Sequence, residues 1–302
     1  MDARLAADDP EWLRDYLGWL ASQRRAAPLT LENYRRDLLA LQRLAGTTAV
    51  DALAAHDIRR FVARLHGEGL GGRSIARRLS AWRGLFAWLV RHRGMALNPA
   101  LGIRPPRSPR RLPKALSPDQ AQGLLDGGDG EGVLQLRDRA MFELLYSSGL
   151  RLAELAALDV GGDVDAAQGL VTVLGKRGKK RIVPVGTAAL QALADWLAVR
   201  GEVAAADEAA LFVSRQGGRL SGGAIRARLA RWAREAGVGV HVHPHMLRHS
   251  FASHVLQSSG DLRAVQELLG HASIQSTQVY THLDYQHLAR VYDAAHPRAR
   301  KS

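Results

Sequence analysis

The sequence predicts a mainly α protein of the α+β class, built as two domains with one small β-hairpin in the second. Apolar residues recur at helical spacing through the first part of the chain. A stretch rich in proline and arginine and free of acids then breaks that pattern. Farther on, two β-branched runs flank a basic turn. At 302 residues the chain is long for one domain and comfortable for two. With 46% hydrophobic and 24% charged residues it can bury a core, which excludes a disordered class.

The first domain, residues 1–98, reads as about four helices. One surrounds Trp12 to Trp19. A second is expected from Thr30 as N-cap, with Leu31, Tyr34, Leu38 and Leu41 on one face and Gly46 ending it in a left-handed conformation. Ile58, Phe61, Val62 and Leu65 mark a third. Ile75, Leu79, Trp82, Leu85 and Leu89 mark a longer fourth, whose other faces carry Arg73, Arg77, Arg78, Arg83 and Arg91. Such a run of arginines serves either as a solvated face or as a contact to a phosphate backbone.

Residues 99–111 form the expected linker. Its prolines remove amide donors and disfavour helix in the residue before each, so it should be extended. The second domain, 112–302, opens with Ser117 as N-cap, Pro118 in the first turn and Gln120 at the capping-box position. Residues 170–174 and 181–185 are the strands of the hairpin, with Gly175-Lys-Arg-Gly-Lys-Lys180 as its turn, and Pro184 belongs on a sheet edge.

Lys and Arg together number 42 against 29 Asp and Glu, a formal charge of +13, which points to a polyanionic partner such as DNA. The absence of cysteine excludes disulfides, thiolate metal sites and a cysteine nucleophile. No leader pattern opens the chain and no uncharged apolar stretch approaches the roughly 20 residues of a membrane span. A cytoplasmic protein without a membrane partner is therefore expected.

Five features of the second domain could carry chemistry. Gly149 breaks a helix ahead of Arg151, placing this arginine in the first turn of the next helix with Glu154 three residues on. There a guanidinium and backbone amides can hold a phosphate together. Taken alone, the pair also fits an ordinary surface ion pair. Lys176 sits at the edge of the hairpin turn, where it could donate a proton or simply be solvated. Pro244 can open a helix in which His245 and Arg248 share a face. His245 and His249 also have helical metal-ligand spacing, although the sequence between them lacks the metalloprotease glutamate. His271 follows Gly270, an expected helix C-cap. Tyr280 lies in an amphipathic stretch, where a tyrosine is ordinarily core.

In this order, Arg151, Lys176 in a hairpin, His245-x-x-Arg248, Gly270-His271 and Tyr280 resemble the signature of the tyrosine recombinase, or phage integrase, family. The resemblance covers both domains and implies a C-shaped clamp around double-stranded DNA. It implies that Tyr280 attacks the scissile phosphate, giving a 3′-phosphotyrosyl link and a free 5′-hydroxyl. Arg151 and Arg248 would stabilise the transition-state charge, Lys176 would protonate the leaving oxygen, His271 would hydrogen-bond the phosphate, and His245 is the base candidate. No ATP, metal or other cofactor is implied. The family usually has glycine directly after the hairpin lysine, whereas Arg177 intervenes here, which leaves Lys179 as the alternative to Lys176.

Residues 258–271, 281–288 and 291–298 narrow the resemblance to the family's chromosome-dimer-resolving branch. That branch implies a dif-like DNA site, a related partner recombinase in a heterotetramer, and a septal DNA translocase as regulator. Residues 284–295 are expected to dock on a neighbouring subunit. Competing readings are the integrase of a mobile element, a type IB topoisomerase, and a non-catalytic helical DNA-binding regulator in which Tyr280 is core.

Overall fold

A computed structural model of the chain describes residues 9–107, 115–127, 132–175, 180–269, 292 and 295–298. It divides into two compact units, Met1–Arg111 and Leu112–Ser302. Among the described residues, no helix is long and apolar enough to cross a membrane.

The first unit contains α1 (Glu11–Ser22), α2 (Pro28–Ala45), α3 (Ala55–Gly67) and α4 (Gly72–His92). Helices α3 and α4 bury the stripes that their spacing predicts, Ile58, Phe61, Val62 and Leu65 in the one and Ile75, Leu79, Trp82, Leu85 and Leu89 in the other, whereas in α2 Tyr34 is only half-buried beside buried Leu31, Leu38 and Leu41, and α1 buries Leu13, Tyr16, Leu17 and Leu20. Helix α2 starts earlier than expected. Pro28 occupies its first turn, where a missing amide costs nothing, and Ala27 rather than Thr30 is the N-cap. Gly46 ends it at φ +63°. The core continues through Ala100 and Ile103, inside the stretch read as linker. Arg83 reaches the carbonyls of both residues, and Arg77 pairs with the buried Asp37, so part of the arginine run is spent on structure.

In the second unit α5 (Pro118–Asp126) is capped by Ser117, whose hydroxyl accepts from the Gln120 amide at 3.1 Å while Gln120 Oε1 accepts from the Ser117 amide at 3.0 Å. Helix α6 (Val133–Ser147) is buried along nearly its whole second half, and α5 packs against it together with three later helices, Thr187–Val199, Gly222–Glu235 and Pro244–Ser259. Its charges are paired accordingly. Arg137 bonds Asp138 and the Val213 carbonyl, and Arg228 bonds Asp138 from the other side.

A short helix α7 (Leu152–Ala156) leads to an antiparallel sheet in the order β1 (Val164–Asp165), β2 (Leu170–Leu174), β3 (Lys180–Pro184). The strand β1 is too short to leave a pattern in the sequence. The register pairs Val171 with Val183 and Val173 with Arg181. Pro184 therefore lies on the edge strand, as its missing donor requires. Then follow α8 (Thr187–Val199), α9 (Gly222–Glu235), α10 (Pro244–Ser259) and α11 (Leu262–Leu269).

Candidate active site

The site is built on the turn between α6 and α7. Gly149 lies at φ +55°, and a Cβ added there would meet the Phe251 ring at 2.4 Å, so glycine is required both by the backbone and by the neighbour. Leu150 is fully buried beside it, which pins the turn to the core. Arg151 follows as the N-cap of α7, one position earlier than the first turn in which the sequence reading placed it. Glu154 completes half of a capping box by accepting from the Arg151 amide at 2.7 Å.

The same glutamate holds the Arg151 side chain. Arg151 Nη1 donates to Glu154 Oε1 at 2.8 Å, and Nη2 reaches toward the Leu269 carbonyl at 3.4 Å. Arg248, on the first turns of α10, donates to that carbonyl at 2.5 Å and to the carbonyl of Gly149. Two guanidiniums separated by 97 positions thus meet at the C-terminal end of α11. Burial, with Arg151 and Arg181 nearby, pushes the Arg248 pKa down to about 10, still well above neutrality, so the residue keeps its charge.

A third guanidinium completes this cluster, and the sequence reading missed it. Arg181 on β3 grips Glu154 with both terminal nitrogens, Nη1 to Oε1 at 2.5 Å and Nη2 to Oε2 at 2.8 Å. Burial would raise the Glu154 carboxyl, but hydrogen bonds from Arg181 and Arg151 outweigh it and hold the pKa below the ordinary value. The signal was present in the strand: alternation puts Arg181 on the inward face with Val183, an unusual position for a charge that lacks a buried partner.

The end of α6 is tied to β3 as well. Ser148 Oγ donates to the Pro184 carbonyl at 2.9 Å, and Ser147 Oγ accepts from the Gly186 amide at 2.7 Å. Ser147 also shares a 2.7 Å hydrogen bond with the Tyr292 hydroxyl. Tyr292 stacks on His296, and both rings lie against Phe251, the residue that fills the space over Gly149. The end of the stretch expected to dock on a neighbouring subunit is thus packed in the core of its own unit.

Of the residues singled out in the sequence, Arg151 and Arg248 come together. His245 sits exposed in the first turn of α10, three positions before Arg248, with its ring 6.5 Å from that of His243. His243 caps the helix, its Nδ1 accepting from the Met246 amide at 3.2 Å. Lys176, Lys179, His271 and Tyr280 lie outside the described residues.

The chain matches the Phage integrase family over residues 114–287 and the Phage integrase N-terminal SAM-like domain over residues 13–93. It is 54% identical over 306 residues to the tyrosine recombinase XerC of Ralstonia pickettii (strain 12J), covering 95% of this chain and 93% of that protein. To the tyrosine recombinase XerC of Pseudomonas aeruginosa (strain LESB58) it is 53% identical, with 95% and 94% covered. Among solved structures, XerH site-specific recombinase bound to palindromic difH substrate, a post-cleavage complex, has a TM-score of 0.68 at 20% identity, with 93% and 94% of the chains covered. A lambda integrase dimer bound to a COC′ core site has a TM-score of 0.68 at 21% identity, with 96% and 79% covered. These two likenesses are of fold.

Proposed function

The chain belongs to the phage integrase family and is a site-specific tyrosine recombinase, and from that premise we propose that it breaks and rejoins double-stranded DNA through Tyr280. The observation that carries the reading is the convergence of Arg151 and Arg248 on the Leu269 carbonyl, two residues before His271. Phosphoryl transfer spreads negative charge over the non-bridging oxygens, and two permanently charged, planar donors suit that charge.

In the proposed reaction the Tyr280 oxygen attacks the scissile phosphorus and the bond to the 5′-oxygen breaks. A 3′-phosphotyrosyl link and a 5′-hydroxyl result. A free phenol has a pKa near 10, so its proton must be accepted, and His245 is assigned that role. Lys176 protonates the leaving 5′-oxygen, and His271 donates a hydrogen bond to the phosphate. Attack by a 5′-hydroxyl from another strand reverses the step and exchanges partners.

A core-binding domain, 1–98, and a catalytic domain, 112–302, joined through the basic residues 99–111, both take part in binding the duplex. The physiological substrate is a dif-like chromosomal site, bound in a heterotetramer with a XerD-like recombinase and regulated by a septal DNA translocase, so that chromosome dimers are resolved in the cytoplasm at division. Near-full-length identity to proteins named XerC supports this role over that of a mobile-element integrase.

The test is a nicked duplex carrying the host's candidate site, incubated in EDTA with the protein and its XerD-like partner. A denaturant-resistant protein–DNA adduct that is lost in Tyr280→Phe is expected. DNA binding without an adduct, across a panel of sites, would sink the reading.

A further inference from the structure

We propose that Arg181 is a positioning residue for strand cleavage, neutralising Glu154 so that Glu154 can aim Arg151 without cancelling its charge. The proposal rests on the reading that Arg151 contacts the scissile phosphate.

Both oxygens of Glu154 are doubly engaged. Oε1 accepts from Arg151 Nη1 and Arg181 Nη1, and Oε2 accepts from the Arg151 amide and Arg181 Nη2. The carboxylate side chain is 3% exposed, that of Arg181 is 11% exposed, and that of Arg151 is 28% exposed. The most open member is therefore the one assigned to the phosphate. The inner pair is the support.

Charge explains why a second arginine is needed. A buried Glu154 paired with Arg151 alone would form a neutral couple, and in a site of low dielectric that couple would attract a phosphate weakly. With Arg181 added, the three groups carry one net positive charge, and Arg248 brings the local total to two. Geometry argues the same way. A bidentate guanidinium fixes the plane of the carboxylate, and a fixed carboxylate fixes the Nη1 nitrogen of Arg151. The strand β3 thereby couples the sheet to the arginine elbow. A catalytic group misplaced by about 1 Å can cost up to about 100-fold in rate.

The experiment uses the full chain and a suicide nicked duplex, with the single-turnover rate of covalent adduct formation measured at saturating DNA beside the Kd for the same duplex. Arg181→Met should slow adduct formation by up to about 100-fold with Kd changed less than about threefold. Arg181→Lys restores the charge without the fork and should recover part of the rate. Arg151→Ala runs in parallel. If Arg151→Ala cleaves normally, the underlying reading of Arg151 fails. If Arg151→Ala is dead while Arg181→Met cleaves at the wild-type rate, only the role of Arg181 fails. Should Arg181→Met not fold, Arg181→Gln decides: it keeps a hydrogen-bond donor and removes the charge, so a folded Arg181→Gln protein with the wild-type adduct rate overturns the proposal. A rate loss matched by an equal loss of folded protein would assign Arg181 to stability alone, which also overturns it.

Discussion

Each unit buries a carboxylate beside two arginines, and the two sites have opposite electrostatic outcomes. In the first unit Asp37 on α2 meets Arg77 and Arg78 of α4. Only Oδ2 receives a hydrogen bond, from Arg77, while Arg78 Nε stands 3.9 Å from Oδ1. Among the described residues Oδ1 accepts nothing. Burial then prevails and the Asp37 pKa is raised, despite the nearby arginines. In the second unit Glu154 has four donors on two oxygens, and its pKa is lowered although burial opposes it. Both side chains are almost inaccessible, at 1% and 3%. Directed hydrogen bonds, rather than the mere proximity of positive charge, decide which way a buried acid shifts. The acid of the first unit ties helices together, and that of the second prepares a charged site.

The strongest way to break this comparison is to remove the satisfied acid. Glu154→Gln leaves two guanidiniums facing each other, and the unfolding free energy by denaturant titration should fall by about 3 kcal/mol at neutral pH. The loss should shrink in acid. A carboxyl whose native pKa lies below its unfolded value, roughly 4.3, contributes stability above that value and loses it as the pH falls through the native one. A Glu154→Gln protein whose deficit stayed constant down to the lowest pH would mean that the carboxylate is not held by its donors.

A buried base sharpens the contrast. His296 stacks on Tyr292, and burial, then nearby His254, pushes its pKa down to about 3. A histidine with a depressed native pKa costs no stability above its unfolded value near 6.5, and destabilises progressively as the pH drops from there toward 3. Thermal melts should show Tm falling over that window, and His296→Phe should flatten the fall. His254, also depressed by burial, will leave a residual slope.

The next effect tests the elbow without altering any charge. Gly149→Ala forces a side chain at φ +55° into the Phe251 ring, and should cost about 1–3 kcal/mol in stability while slowing adduct formation through a displaced Arg151. Unchanged adduct kinetics would show that the elbow does not aim the arginine. The smallest effect belongs to the unsatisfied acid. Asp37→Asn should change stability by no more than about 1 kcal/mol at neutral pH. Because its native pKa is raised, the wild-type acid weakens the fold as the pH rises through that value, the opposite slope to Glu154. A large loss in Asp37→Asn would place both acids in one class and end the comparison.

Much of this was legible in the residues. The stripes of α3 and α4, the Ser117 capping box, the hairpin strands and the edge position of Pro184 follow from spacing, capping chemistry and the missing proline donor, all of which act within a few residues. Arg151 and Arg248 could be singled out in the sequence as two arginines in a motif order. Their meeting could not, because it depends on how α10 packs against α6 and α11 against α10. Arg181 left a trace as an arginine at an inward position of β3, but its partner lies 27 residues back. Thr30 misled because Pro28 offers the helix an earlier start.

Local periodicity and a charge of +13 therefore sufficed for two helical domains, one hairpin and a polyanionic partner, since those properties are written in neighbouring side chains. The pairing of Glu154 with two arginines, the carbonyl shared by Arg151 and Arg248, and the ring wall of Phe251, Tyr292 and His296 arose from packing between distant elements. Such contacts depend on the angles and separations at which whole helices and strands settle, and no stretch of sequence carries that information alone.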